Sequence, residues 1–305
     1  MKKIQMNKKF SVVIPLFNKK NSILRALASI EEQTLLPSEV IIIDDGSTDG
    51  STKVVDDFVS ETLEVYLEKQ SNRGVSVARN NGIEKAKNDL VLLLDADDYW
   101  LPTHCENLVN AASKHPNVGF FFADHFKGRV DEQFSKHKEG QVELINKPFL
   151  VNEYRKNRNL IHTSAVMFRK SVLTTDLNFE VGEKRSQDIL LWLSLGFKYE
   201  AIRCINKTSV KTKDFEASQR RAKEIPAHIK HLPRKKDIIP KQCIRDVRYI
   251  LLRSSLLEYF SSARFGVDLA PSLAVKLKPI SNVHYTLFRL FQTLSLYRVI
   301  QAVFK

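Results

Sequence analysis

Residues 90–98 read LVLLLDADD, five apolar residues followed by carboxylates at Asp95, Asp97 and Asp98. A short apolar run of this kind is the pattern of a strand buried on both faces of a parallel sheet. The aspartates that close it are costly to bury unless they are paired or bind a cation. Working outward, residues 10–17 (FSVVIPLF) and 40–45 (VIIIDD) repeat the strand pattern. Between them, Ser22 to Gln33 places Ile23, Leu24, Leu27 and Ile30 at helical spacing. A second helix is expected after Asp49-Gly50-Ser51, a strand over Leu63 to Leu67, and a helix over Val75 to Lys87 that buries Val75, Ala78, Ile83 and Ala86. Helix Pro102 to Lys114 and strand Val118 to Ala123 continue the rhythm. The order βαβαβαβαβ predicts the α/β class, with a Rossmann-like, mostly parallel, doubly wound sheet. Ligands of such sheets sit beyond the carboxyl ends of the strands.

That rule makes the residues closing each strand informative. They are Pro15 to Asn18 after the first, Asp44-Asp45-Gly46-Ser47 after the second, and Asp95 to Asp98 after the fourth. Hard divalent ions such as Mg or Mn prefer oxygen ligands and are held by one or two carboxylates plus substrate phosphates, so a metal-diphosphate site fits this rim. Residues 45–50 (DGSTDG) also approach an EF-hand loop, but the twelfth position is Asp56 rather than Glu and a strand enters the loop. A strand-to-helix turn with a capping Ser or Asp accounts for Ser47 to Gly50, leaving Asp44 and Asp45 as site candidates. No G-x-G-x-x-G follows the first strand and no G-x-x-x-x-G-K-[ST] occurs, which removes dehydrogenase and P-loop readings.

Composition bounds the rest. A chain of 305 residues, 43% hydrophobic and 27% charged, is a folded globular protein of one large domain or two ordinary ones. No uncharged apolar run approaches the roughly 18 residues of a transmembrane helix. The net charge of +13 raises nucleic acid, a nucleotide or an anionic membrane as partners. From Arg220 to Lys305 there are 17 basic and 5 acidic residues, so nearly all of the excess lies in the last 86 residues. Cys105, Cys204 and Cys243 are far apart and lack metal-ligand spacing, which points to a reducing cytosol. The basic stretch Met1 to Lys9 runs into Pro15 and Asn18-Lys19-Lys20 without a small-residue cleavage site, so no signal peptide is expected.

Four stretches, Ser11 to Asn18 (SVVIPLFN), Val40 to Ser51 (VIIIDDGSTDGS), Asn72 to Gly82 (NRGVSVARNNG) and Leu92 to Pro102 (LLLDADDYWLP), resemble in order and spacing the bacterial-type family 2 glycosyltransferases of GT-A fold. The resemblance implies a hexosyl- or N-acetylhexosaminyltransferase that moves a sugar, with inversion, from a nucleotide-diphosphate sugar, UDP first, assisted by Mn or Mg. It places Pro15 and Phe17 at the base pocket, Asp45 with Asp44 beside it at the base, and Arg79 near the nucleotide. Asp95 is then expected near the ribose and Asp97 on the metal, with Asp98 a neighbouring candidate. A helix-surface cation is the plain alternative for Arg79.

Beyond residue 125 the likeness thins. Gln187-Asp188-Ile189-Leu190-Leu191-Trp192-Leu193 resembles the family's acidic pair and Leu-Trp helix, so Asp188 matches the catalytic base and Trp192 an acceptor contact. Gln187 departs from the family's usual Glu, and Asp188 as a simple helix cap is the competing reading. Residues 162–170 (HTSAVMFRK) resemble the preceding strand, with His162 either at the acceptor or a satisfied structural histidine. No late His stands in residues 207–218, where Asp214 is a guess for a third metal ligand. Asn206-Lys207-Thr208 satisfies a glycosylation sequon that a cytosolic chain would not use.

The expected organisation is therefore a GT-A domain over 1–219, with a nucleotide-sugar half at about 10–125 and an acceptor half at about 126–219. A basic helical region follows over 220–305, with Arg234-Lys235-Lys236 and helices at Ile244 to Phe260 and Val283 to Phe304. The last of these can lie in a membrane interface, since anionic lipid favours a basic segment by about 1 kcal/mol per nearby Lys or Arg. Packing on protein is the other use for its apolar side. The acceptor expected is a surface polysaccharide, lipopolysaccharide or lipid-linked glycan, and the place cytoplasmic, with peripheral attachment to the inner face of the cell membrane. Two rivals share single features. A nucleotidyltransferase shares the carboxylate rim, and a nucleic-acid-binding protein shares the basic tail but lacks a stacking module, so no nucleic acid is expected.

Overall fold

The structure is a computed structural model that describes residues 9–128, 141–147, 151, 153–154, 157, 160–212, 226–232 and 239–264. Every residue of β1 (Phe10–Leu16) and β2 (Glu39–Asp44) is buried, as strands covered on both faces require. The elements then run α1 (Ile23–Glu31), α2 (Ser51–Asp56), β3 (Val65–Lys69), α3 (Val75–Lys85), β4 (Leu90–Leu93), β5 (Tyr99–Trp100), α4 (His104–Lys114) and β6 (Phe120–Lys127). After them come β7 (Val142–Ile145), β8 (Val166–Arg169), α5 (Gln187–Lys198), β9 (Ala201–Lys211), α6 (Ala227–His231) and α7 (Ile244–Arg264).

Among the described residues the strands form one sheet in the order β3-β2-β1-β4-β8-β6-β9-β5, with β7 also against β9. Pairings among β1 to β4 are parallel, as the alternating order predicts. Alternate residues feed two cores. Val12, Ile14, Val40, Ile42, Leu92, Phe121 and Met167 pack on one face. Val13, Ile41, Ile43, Leu93, Phe120, Phe122, Phe168 and Trp192 pack on the other. Helix α1 buries Ile23, Ala26, Leu27 and Ile30, one stripe at helical spacing. Helix α3 comes close to the sheet at Gly82, where an added Cβ would lie 2.4 Å from Val13 Cγ1.

The fifth apolar run is separated from β4 by β8, which pairs antiparallel with both β4 and β6. With Val166, Met167 and Phe168 all buried, β8 is as apolar as its neighbours and closes the open edge of β4. The sheet is thus parallel in its first half and mixed beyond it.

The chain divides into two compact units, Met1–Gly182 with Leu191–Asp214 and Glu183–Leu190 with Phe215–Lys305. The first holds the whole sheet. In the second, α6 packs on α7, and Glu183 accepts from Lys230 Nζ and meets His231 Nε2, both at 2.8 Å. Ala227 N–H donates to Arg185 O at 2.8 Å. The units part at Asp214/Phe215, a few residues before the expected boundary at 219, and Glu183–Leu190 groups with the C-terminal unit. Burial opposes ionisation of Glu183, but the bonds from His231 and Lys230 outweigh it and hold the carboxyl below its ordinary value. The expected helix at Val283 to Phe304 and the Arg234-Lys235-Lys236 run lie outside the described residues. None of the described helices is long and apolar enough to cross a membrane.

Candidate active site

The parallel register pairs Leu16 with Asp44 and Val13 with Leu93, so the carboxyl ends of β1, β2 and β4 point to the same edge of the sheet. The loop leaving β1 is tied to the one leaving β2. Asn18, in the left-handed region at φ 51°, donates its N–H to Ser47 Oγ at 3.0 Å and accepts Thr48 N–H on its side-chain oxygen at 2.9 Å. Lys19 N–H donates to Ser51 Oγ at 2.8 Å and Lys20 N–H to Asp49 Oδ2 at 2.9 Å. Asp49 also accepts Ser51 N–H at 2.9 Å. Residues 45–50 are therefore a strand-to-helix turn.

Asp44 and Asp45 are both buried and spend their oxygens on the surrounding loops. Asp44 accepts from Ser47 N–H at 2.9 Å and from the Thr52 hydroxyl. Asp45 accepts from Gln70 Nε2 at 2.8 Å, Arg73 N–H at 2.7 Å and Gly74 N–H at 2.8 Å. That clamp fixes the start of α3, and with it Arg79. Pro15 is buried in β1 opposite Ile43, whereas Phe17, just past the strand, is 43% exposed.

Arg79 is not a surface cation. It is 5% exposed, and its Nη2 lies 2.6 Å from Asp95 Oδ1. The guanidinium carbon sits 5.0 Å from the Phe179 ring, whose backbone is clasped at both N–H and C=O by the Asn80 side chain. Nε and Nη1 of Arg79 have no hydrogen-bond partner. Buried donors of a charged group are rarely left unmade, so these point to a ligand with acceptor oxygens. Burial opposes ionisation of Asp95, but Arg79 outweighs it and holds the carboxyl below its ordinary value.

Asp98 is turned inward. Its Oδ2 lies 2.6 Å from His162 Nε2 and accepts the Ser164 hydroxyl at 2.6 Å, while Oδ1 accepts Thr212 N–H at 2.8 Å. The Ser164 hydroxyl also accepts Asp95 N–H at 3.1 Å, so one residue braces both aspartates. Asp98, expected near the metal, and His162, expected at the acceptor, thus face each other in a buried network. Asp97 is the aspartate that stays at the rim, with 27% of its side chain exposed and Lys19 Nζ 2.7 Å away. Its carbonyl accepts from Arg25 Nη2 at 2.6 Å and the Thr212 hydroxyl at 2.5 Å. Burial, Asp95 and Asp98 raise the Asp97 carboxyl above its ordinary value in spite of Lys19.

This surplus of negative charge on oxygen ligands fits a hard divalent cation. Among the described residues no group of three or more His, Cys, Asp or Glu is arranged to hold a metal. The donor set accordingly fits an ion completed by substrate oxygens and water rather than a preformed cage. Asp214 lies outside the described residues.

In the second unit, Asp188 stands in the first turn of α5 and accepts Ile189 N–H at 2.8 Å. Ser186 before it takes a left-handed φ of 56°, and the buried Gln187 Oε1 has no partner. Trp192 is a core residue, 1% exposed, stacked on Phe120 at 5.4 Å and edge-on to Phe179 at 5.8 Å. The side chain expected at the acceptor is thus placed in the core. The residues that sequence reasoning missed are Lys19, Arg25, Ser164 and Thr212. Lys19 and Ser164 stand inside or beside motif stretches, but nothing in their spacing marks them as partners of the aspartates.

The sequence matches the model of the family described as "Glycosyl transferase family 2" over residues 11–175. It is 42% identical over 104 residues to the uncharacterized glycosyltransferase YibD of Escherichia coli K12, a match covering 34% of this chain and 30% of that protein. It is 28% identical over 150 residues to the GalNAc(5)-diNAcBac-PP-undecaprenol beta-1,3-glucosyltransferase of Campylobacter jejuni, covering 48% of each. The matched segments thus span less than half the length of these two relatives. Among solved structures, S. aureus TarS in complex with UDP superposes with a TM-score of 0.57 at 17% identity, over 93% of this chain and 91% of that one. The mannosyltransferase PcManGT of Pyrobaculum calidifontis, in complex with GDP-Man and Mn2+, gives 0.57 at 19% identity, over 96% and 83%. These likenesses show the GT-A fold.

Proposed function

Because the chain belongs to glycosyl transferase family 2, we propose that it is an inverting, metal-dependent glycosyltransferase that moves a sugar from a nucleotide-diphosphate sugar to an acceptor hydroxyl. The observation that carries the reading is the rim itself, where a buried Arg79 with two unpartnered donor atoms holds Asp95 while Asp97 remains at the surface. Arg79 binds acceptor oxygens of the nucleotide, Asp95 lies toward the ribose, and the half-exposed Phe17 offers its ring to the base. A divalent cation at Asp97, Mn or Mg, supplies charge stabilisation for the departing diphosphate. Asp188 takes the proton of the acceptor hydroxyl as that oxygen attacks the anomeric carbon, and the bond from that carbon to the phosphate oxygen breaks. Attack opposite the leaving group inverts the anomeric configuration.

UDP-sugars are the first donors to try, and a surface polysaccharide or lipid-linked glycan is the acceptor class. TarS is described in complex with UDP, and the C. jejuni relative's name specifies an undecaprenol-linked glycan. The positive excess in the last 86 residues supports holding the enzyme against an anionic membrane face. The test is a panel of nucleotide sugars with Mn2+ or Mg2+, read by the product released. Nucleoside diphosphate is expected. Pyrophosphate released from a nucleoside triphosphate, with no turnover of any nucleotide sugar, would replace sugar transfer by nucleotidyl transfer.

A further inference from the structure

Lys19 occupies the place in the rim where a cation would neutralise Asp97. Its ammonium is 2.7 Å from Asp97 Oδ2, with 26% of the lysine side chain and 27% of the aspartate side chain exposed. The backbone that presents it is held firmly. Asn18, Lys19 and Lys20 each hydrogen-bond to a side chain of the turn after β2, namely Ser47, Ser51 and Asp49. Asp97 is fixed from the other side through its carbonyl by Arg25 and Thr212. Among the described residues, Arg79 forms an ion pair with Asp95 and Lys19 with Asp97. The cations differ in kind. Arg79 is buried, planar and stacked on Phe179, whereas Lys19 is a point charge on a flexible stem that can swing away from a fixed backbone.

We propose that Lys19 is a built-in counter-ion that competes with the divalent cation for Asp97 and is displaced when the cation arrives together with the donor diphosphate. The proposal rests on the assignment of Asp97 to the metal made above. A cation arriving alone must expel a like charge from its carboxylate with no incoming anion to offset the loss. A cation arriving with a diphosphate brings oxygens that complete its own coordination and give the displaced ammonium an anion to meet. Metal and nucleotide binding are therefore coupled, and the coupling is reciprocal. Lys19 acts as a positioning residue. It keeps Asp97 in place between turnovers and makes the metal site selective for the metal-nucleotide pair over the free ion.

The experiment is Mn2+ binding to the full chain, followed by the electron paramagnetic resonance signal of free Mn2+, with and without UDP, and with GDP as the second nucleotide. Wild-type protein, Lys19→Met, Lys19→Gln and Asp97→Asn are compared, each after its thermal unfolding profile shows that it is folded. Wild-type protein is expected to bind Mn2+ weakly alone and more tightly with the nucleotide. Removing an ion pair this exposed should tighten binding of Mn2+ alone by about five- to tenfold in both Lys19 variants, and reduce the enhancement by nucleotide by the same factor. Lys19 variants that bind Mn2+ alone no more tightly than wild type, while Asp97→Asn loses Mn2+ binding with nucleotide, would overturn the role of Lys19 and leave the assignment of Asp97 standing. Unchanged Mn2+ binding by Asp97→Asn in the presence of nucleotide would overturn that assignment, and the counter-ion role with it.

Discussion

Replacing Arg79 by Met keeps an unbranched stem beside Phe179 and removes the guanidinium that lies 2.6 Å from Asp95. Arg79 is 5% exposed, so the change leaves the aspartate with no cation at that side. Breaking a buried pair by removing one partner costs about 3–5 kcal/mol. The Asp95 side chain is 24% exposed, which lets water share the charge and places the expected loss near the lower end, at about 3 kcal/mol. That is about a hundredfold in the folding equilibrium. The loss should depend on pH. Arg79 holds the Asp95 carboxyl below its ordinary value, so the pair's stabilisation is present above about pH 4 and is lost as pH falls through the lowered value. In the variant, burial acts unopposed by Arg79 and favours the protonated acid. The deficit is then greatest at neutral pH and narrows on acidification through about pH 4. Urea unfolding followed by tryptophan fluorescence is a suitable assay, because the buried Trp100 and Trp192 both report on the sheet-bearing unit. Adding Asp95→Asn should restore most of the loss, since the uncompensated charge is then gone. A deficit below about 1 kcal/mol that is the same at pH 4 and pH 7 would mean that the pair behaves like a surface ion pair and that Arg79 does not hold the Asp95 charge.

Three further outcomes follow from packing and from the second unit. Trp192→Ala should destabilise by about 3–5 kcal/mol, and Trp192→Phe should recover most of it without changing the acceptor KM, as steady-state kinetics and calorimetry will show. Gly82→Ala places a methyl group 2.4 Å from Val13 Cγ1 and should cost about 1–3 kcal/mol by overpacking, read as a lowered unfolding midpoint. Glu183→Ala releases Lys230 and His231 from the segment that carries Asp188. It should lower transfer kcat by about ten- to hundredfold through misplacement of that residue, with donor KM unchanged.

The strand pattern was legible because β1, β2 and β4 are buried on both faces and show as unbroken apolar runs. The insertion of β8 was not legible. An antiparallel neighbour arriving more than 70 residues later leaves no periodic mark, and VMFR looks like any other short apolar run. The Asp-x-Asp element could be seen, but its division of labour could not. Asp95, Asp97 and Asp98 are adjacent in the chain, and their roles are separated by Arg79, Lys19 and His162, which come from three other segments. Trp192 illustrates the same limit. A tryptophan four residues after a candidate base sits one helical turn away, yet the partners that decide its burial are Phe120 and Phe179. A change in charge marks the boundary expected near residue 219, but nothing in the composition marks Glu183–Leu190, which groups with the C-terminal unit and bonds to Lys230 and His231 through Glu183.

In the proposed mechanism two carboxylates have separate tasks, Asp97 for the metal and donor and Asp188 for the acceptor proton. The most direct measurement is the rate of nucleoside diphosphate release from the preferred nucleotide sugar in Asp97→Ala and Asp188→Asn, taken beside metal-dependent donor binding. Asp97→Ala should lose both binding and turnover. Asp188→Asn should keep donor affinity and lose about 10²–10⁴ in rate, the range of a missing general base. Wild-type turnover in either variant would contradict the assignment.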